Sequence, residues 1–282
     1  MVFVTRPNVI AQAMGGHGYG AVLVARGKSA VPVGRGEMAS REATRETVGS
    51  RKLALVKPTA PESAELTQAE PERAELERAE LERAEPQIAE LGFAELEFAV
   101  IDLETTGWSP GAAAITEIAA VRVRGGRRQG EFASLVNPGF PIPPGIEDLT
   151  GISDWMLAAA PKLPAILPGL LNFAGGCVLV AHNAPFDIGF LRAACAECGL
   201  AWPRFTVLDT VMLARQLMDP DEVPDCKLGT LAGFFRARTA PSHRALADAR
   251  ATADVLGWLI RRLTHHGIRT LDELRTWPDV VA

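Results

Sequence analysis

The sequence predicts an α/β fold, a mixed five-stranded sheet flanked by helices, behind a long low-complexity N-terminal extension. Three observations carry this reading. Residues 95–107 (ELEFAVIDLETTG) and 115–138 (ITEIAAVRVRGGRRQGEFASLVNP) are rich in apolar and β-favouring residues and give three consecutive strands. Two further apolar runs, CVLVAHN and FTVLDT, then alternate with helical segments, the order expected of a sheet covered by helices on both faces. Residues 1–64 show no sustained period of 2 or 3.6 and cannot bury enough apolar surface to offset their conformational entropy.

Each element has a local cause. The first strand stops at Thr-Thr-Gly, and Gly125-Gly126 turns the second strand back into the third, so these three run antiparallel. PGFPIPPGIEDLTGISDWMLAAAP reads as a proline-rich loop leading to a short helix near Ser153, with a second helix over 164–174. After the CVLVAHN strand, Pro185 opens a helix with Phe186, Phe190 and Leu191 on its apolar face and Asn183 as its cap. FTVLDT ends the fifth strand. Residues 209–218 and 227–235 are expected to be helical, and 244–263 form the long final helix.

Charge divides the 282 residues into three parts. Residues 1–64 hold nine Lys/Arg against four Asp/Glu and read as a basic, disordered tail. From Ala64 the chain repeats every five residues (AELTQ, AEPER, AELER), and residues 65–95 read as an acidic linker. A helix advances about 140° beyond a full turn every five residues, so the repeated leucines form no stripe; seven pentads are also too few for a capped β-solenoid. The folded domain is expected over 96–275. No apolar run approaches the roughly 20 residues that span a bilayer, and no basic start precedes an apolar stretch, so a cytoplasmic location is the default expectation. Four cysteines are too few for a disulfide framework, and the single Cys195-x-x-Cys198 pair reads as helix packing rather than a zinc site.

The chemistry lies in the acids. Asp102 and Glu104, two apart at a strand end, share one face of a sheet that should be buried, which is costly without a neutralising cation. Asp187 falls in the first turn of a helix, and His243 precedes Asp248 by five residues where the last helix begins. Taken singly, each is an ordinary solvated or capping residue. Arg122, Arg124, Arg127 and Arg128 form a basic cluster at the hairpin, read as a solvated surface first and a phosphate patch second.

In order, DLETTG (102–107), HNAPFDIGFL (182–191) and SHRALADARATADVL (242–256) resemble the three motifs of the DEDDh exonucleases, the DnaQ-like family that includes the proofreading ε subunit of bacterial replicative polymerases. The resemblance covers essentially all of 97–263. The sister class with tyrosine in the third motif is excluded, because the one tyrosine, Tyr19, lies in the tail. The resemblance implies a ribonuclease H-like fold in which Asp102, Glu104, Asp187 and Asp248 hold two divalent cations, Mg²⁺ or Mn²⁺, with His243 as proton acceptor. It implies that Thr105, Thr106 and Gly107 contact the terminal nucleotide and that His182 and Asn183 support substrate or site geometry; Trp108 reads either as a ring for a base or as a packing residue at the rim.

The implied activity is 3′–5′ removal of nucleoside 5′-monophosphates from single-stranded ends. DNA is favoured over RNA by the Thr-Thr-Gly form of the first motif. The short THHGIRTLDELRTWPDVVA stretch after the last helix favours a free-standing repair or turnover role over a polymerase-tethered one, although the N-terminal extension could tether a polymerase or repair partner. The alternatives are an RNA-directed exoribonuclease and a nuclease-like binding module without activity. Retention of all four acids and the histidine argues against the latter.

Overall fold

A computed structural model describes residues 89–277, together with the backbone of two short strands nearer the N-terminus. The rest of the expected basic tail, and the acidic pentads up to residue 88, lie outside the described residues.

The strands are β1 (Val2–Val4), β2 (Val22–Leu23), β3 (Glu97–Thr105), β4 (Ile115–Arg124), β5 (Arg127–Leu135), β6 (Val178–Ala181) and β7 (Val207–Asp209). They form one sheet in the order β2-β1-β5-β4-β3-β6-β7. β3, β4 and β5 are antiparallel, whereas β6 pairs parallel to β3 and β7 parallel to β6, giving the expected mixed sheet of five strands. β1 and β2 go beyond that expectation. Val2–Val4, assigned from sequence to a disordered tail, lies antiparallel on β5, whose outer backbone groups would otherwise be an unpaired sheet edge.

The helices are α1 (Pro144–Thr150), α2 (Asp154–Ala158), α3 (Leu163–Ala174), α4 (Ala184–Glu197), α5 (Thr210–Leu217), α6 (Leu228–Phe234), α7 (Ala245–His265) and α8 (Leu271–Thr276). α1 replaces the second half of the expected proline-rich loop; Pro144 sits at its first position, where the missing N–H costs nothing, and Gly151 ends it in the left-handed region. Ser153 caps α2 by accepting from the Met156 N–H.

Each sheet face covers its own core. On one, Phe98 and Val100 of β3 and Val121 of β4 pack against Ala249, Leu256 and Leu259 of α7. On the other, Ile101 and Leu103 of β3, with Phe132 of β5, meet Leu167 and Leu170 of α3 and Leu191 of α4. The strand period of two therefore assigns alternate β3 residues to the two cores. Asp102 and Glu104 continue the Phe98–Val100 line and emerge on the α7 side. Ala89 and Phe93, placed in the linker from sequence, are buried in the α7-side core, and the Phe93 N–H donates to the Arg269 carbonyl at 2.8 Å.

No described helix is long and apolar enough to cross a membrane. Three arginines of the hairpin cluster are paired, Arg122 and Arg124 with Glu97 at 3.3 and 3.9 Å and Arg128 with Asp254 at 3.1 Å, while Arg127 is exposed. Cys195 is buried in the α4-side core, consistent with packing.

Candidate active site

β3 brings two acids to its C-terminal end and stops there. After Glu104 the β3–β4 register shifts, so that Glu104 faces Glu117 while Thr105 faces Ile115. The hydroxyls that follow hold the turn: Thr105 Oγ1 donates to the Gly107 carbonyl at 2.5 Å, and Thr106 Oγ1 accepts from the Ala114 N–H at 2.9 Å. Both threonines are buried, so their side chains are committed to the turn. A Cβ on Gly107 would lie 3.2 Å from the Ala113 Cβ, which gives this glycine a packing reason independent of backbone conformation. Trp108 is 76% exposed beyond the turn, its ring 6.4 Å from that of Phe186.

α7 supplies the third acid. Asp248, in its first turn, accepts from the Ser242 N–H at 2.7 Å, folding the preceding loop back onto the helix end. Carboxylate oxygens of Asp102, Glu104 and Asp248 lie within 4.8 Å of one another, a spacing at which they could share a cation. Asp187 reaches the same region from α4 on the opposite face. It is outside that close trio, yet it is the charge felt most strongly by Asp102. It is buried, with the Leu103 backbone N–H stabilising its charged form.

Burial is the main cause of the unusual acidity of all four groups. It raises the Asp102 carboxyl well above the ordinary range, reinforced by Asp187, Asp248 and Glu104. Glu104 is raised to about 7 by burial and by the charges of Asp248 and Glu117, against the opposing pull of Arg244. Asp187 and Asp248 are also raised by burial, although the neighbouring His243 favours ionised Asp248. Without a cation the folded chain therefore holds protons that the unfolded chain releases. Stability from these groups is full below the ordinary carboxyl range and is lost as pH rises through the folded values. The melting temperature of metal-free protein should fall between pH 5 and pH 8, and saturating Mn²⁺ should flatten that decline; scanning calorimetry with and without the ion checks both.

His243 sits beside this cluster, exposed, in the left-handed region at φ 54° immediately before α7. His182 and Asn183 lie between the end of β6 and the start of α4. Burial lowers the His182 pKa, and its Nδ1 is 2.9 Å from Thr210 Oγ1, so the ring bridges the end of β6 to α5. The expected capping by the Asn183 side chain is not found. Asn183 adopts φ 69°, and Asp209 takes over the cap by accepting from the Asn183 and Ala184 N–H groups at 3.0 and 3.1 Å.

Glu117 and Asp209 are the residues that the motif reading missed. Glu117 is buried, accepts from Arg244 Nε and Nη2 at 3.0 and 2.9 Å, and takes the Ala245 N–H at 3.0 Å. It thereby fixes the start of α7, and with it His243 and Asp248, to β4. Its signal in the sequence was a lone acid inside the apolar run ITEIAAV, which needs a buried partner. Glu117→Gln should cost about 2 kcal/mol of stability, a charge-assisted network reduced to a neutral one, and should lower kcat more than it raises KM. Chemical denaturation and steady-state kinetics read the two effects.

Over 188 residues the chain is 52% identical to a Mycobacterium tuberculosis protein named as a bifunctional exonuclease/endonuclease, covering 64% of this chain and 29% of that one. It is 41% identical over 177 residues to the PolC-type DNA polymerase III of Caldanaerobacter subterraneus, covering 63% and 12%. The chain thus spans less than a third of the length of these relatives. Among solved structures, E. coli exonuclease I in complex with a dT13 oligonucleotide shares the fold at a TM-score of 0.54 and 19% identity, over 61% of this chain and 43% of that one. Residues 99–256, more than half of the chain, match the RNase_T family (Exonuclease), and the protein belongs to that family as a DnaQ-like exonuclease domain on a ribonuclease H-like fold.

Proposed function

We propose that the protein is a 3′–5′ exonuclease that hydrolyses the terminal phosphodiester of single-stranded nucleic acid, DNA in preference to RNA, with two divalent cations, Mg²⁺ or Mn²⁺. The observation that supports this most is the convergence of Asp102, Glu104 and Asp248 within 4.8 Å, with Asp187 pressing its charge on Asp102. An all-oxygen donor set whose members resist ionising together suits hard divalent cations. Asp102, Glu104, Asp187 and Asp248 would hold them. When bound, such ions acidify water and neutralise the charge that develops on the attacking and leaving oxygens.

The chain supplies the remaining functions. His243, exposed beside Asp248, takes the proton of the attacking water. The Thr105–Gly107 backbone, held by its own hydroxyl bonds, offers a rigid seat for the terminal nucleotide. Exposed Trp108 provides a ring for its base. His182 and Asp209 act at a distance by fixing the start of α4 and hence Asp187. The PolC-type relatives support a setting in replication or repair, with a polymerase or repair factor as partner.

A single strand labelled at its 5′ end tests the reading. With Mn²⁺ it should shorten through a ladder of successive lengths, while a 3′ label leaves at once as mononucleotide, and chelation should stop both. Internal fragments appearing first, release from the 5′ end, or indifference to chelation would overturn the proposal. A parallel RNA strand cut faster than DNA would reverse the substrate preference.

A further inference from the structure

A cleft of about 1150 Å³ lies on the outer side of the C-terminal half of α7 and the loop after α6, and none of the four acids lines it. Asp248 and Trp258 are ten residues apart on α7, about 15 Å along the axis at 1.5 Å per residue, and point in different directions. The cleft is therefore separate from the carboxylate site. Its chemistry is unusual for this domain, whose residues 97–282 hold 17 Lys/Arg against 20 Asp/Glu.

Four arginines line the cleft against one acid, Asp254. Two of them have carboxylate partners: Arg238 pairs with Asp254 at 2.6 Å, and Arg262 with Glu222 at 2.6 Å. Among the described residues no carboxylate pairs with Arg236 or Arg261, and both are exposed. Aromatic rings accompany the cations. Trp258 and Phe234 are each 42% exposed, although large apolar side chains in this fold are otherwise mostly covered. Trp258 stacks on Phe235 at 5.9 Å with 6° between the planes, which fixes its ring, and the Arg261 guanidinium lies 4.7 Å from its centre.

We propose that this cleft is a second binding site for single-stranded nucleic acid, holding part of the strand remote from the cleaved end. Phosphates would meet Arg236 and Arg261, and a base would stack on the Trp258–Arg261 platform. Unpaired cations beside rigid exposed rings are the chemistry of sequence-tolerant strand binding, since every base has a π-face and every linkage a charge. An acidic peptide would use the charges alone. The proposal rests on the exonuclease reading for its class of ligand and adds a second point of attachment, which would keep a long strand on the protein between cleavage events.

The test uses the whole 282-residue chain and a fluorescent dT30 strand in chelator, so that nothing is cut. Arg236→Asn/Arg261→Gln, with asparagine suited to the left-handed backbone at Arg236 (φ 51°), should lower dT30 affinity at least tenfold. The slope of log K against log salt should become shallower by about 1.4, two contacts at about 0.7 each. Trp258→Leu should lower affinity about fivefold or more, the loss of one stacked base. With Mn²⁺, both variants should hydrolyse the p-nitrophenyl ester of thymidine 5′-phosphate, which occupies only the terminal-nucleotide site, within twofold of the parent. Unchanged dT30 affinity in the arginine variant would overturn the proposal. So would equal weakening of dT30 and polyglutamate binding together with no effect of Trp258→Leu, which would mark the cleft as a surface for acidic protein. Absence of ester hydrolysis in the parent chain would count against the exonuclease reading alone, keeping the two failures distinguishable.

Discussion

Asp102→Ala should reduce turnover of a single-stranded substrate about a thousandfold or more, corresponding to roughly 4 kcal/mol of lost transition-state stabilisation. The same change should leave the fold intact. In metal-free protein at pH 8 its melting temperature should equal or exceed that of the parent, because Asp102 is buried among acids that resist its ionisation. Activity loss with preserved or raised stability is the signature of a group retained for chemistry rather than for folding. Single-turnover kinetics and circular dichroism on the same preparation read both halves. Equal activity in the mutant would remove Asp102 from the site.

His243→Ala should lower kcat by about a hundredfold to ten thousandfold, the usual contribution of a positioned general base, while Mn²⁺ affinity stays where it was. The separation follows from position. His243 is exposed at the bend before α7 and is not one of the three side chains drawn together within 4.8 Å. Asp248, five residues on, is in that trio and takes its orientation from the Ser242 N–H. Turnover and ion titration on His243→Ala check the split. Parallel loss of both would recast His243 as part of the ion-binding shell.

The acids were legible in the sequence because their placement obeys simple periodicity. Asp102 and Glu104 stand two apart on a strand whose neighbours Phe98 and Val100 head for the α7-side core, so their shared face follows from strand geometry alone. Asp187 and Asp248 each sit near a helix start with a readable signal, Pro185 in one case and the onset of the apolar 3.6 period in the other. That the two helices approach the strand from opposite faces was not legible, since it depends on which core each helix covers.

Pairings set by register were hidden for the same reason. Glu117 meets Arg244 across 127 residues only because β4 aligns Glu117 with Glu104 beneath the start of α7. Asp209 displaced Asn183 as the α4 cap because β7 lies beside β6, which brings a carboxylate to the helix end while Asn183 is turned into the left-handed region. A local motif proposes the nearest polar side chain as a cap, whereas the folded sheet supplies a charged one from 26 residues away. The added strand Val2–Val4 was missed because three residues have no resolvable period until β5 offers them a partner.

Calorimetric titration of the 282-residue chain with Mn²⁺ tests most directly whether these carboxylates form one cation-binding centre. At pH 7 the parent should bind the ion with release of protons, because Glu104, held to about 7, and Asp102, raised well above the ordinary range by burial, must give theirs up. Asp102→Ala should weaken binding by at least tenfold and reduce the proton release. Titration heats indistinguishable between parent and mutant, or no binding at millimolar ion, would contradict it.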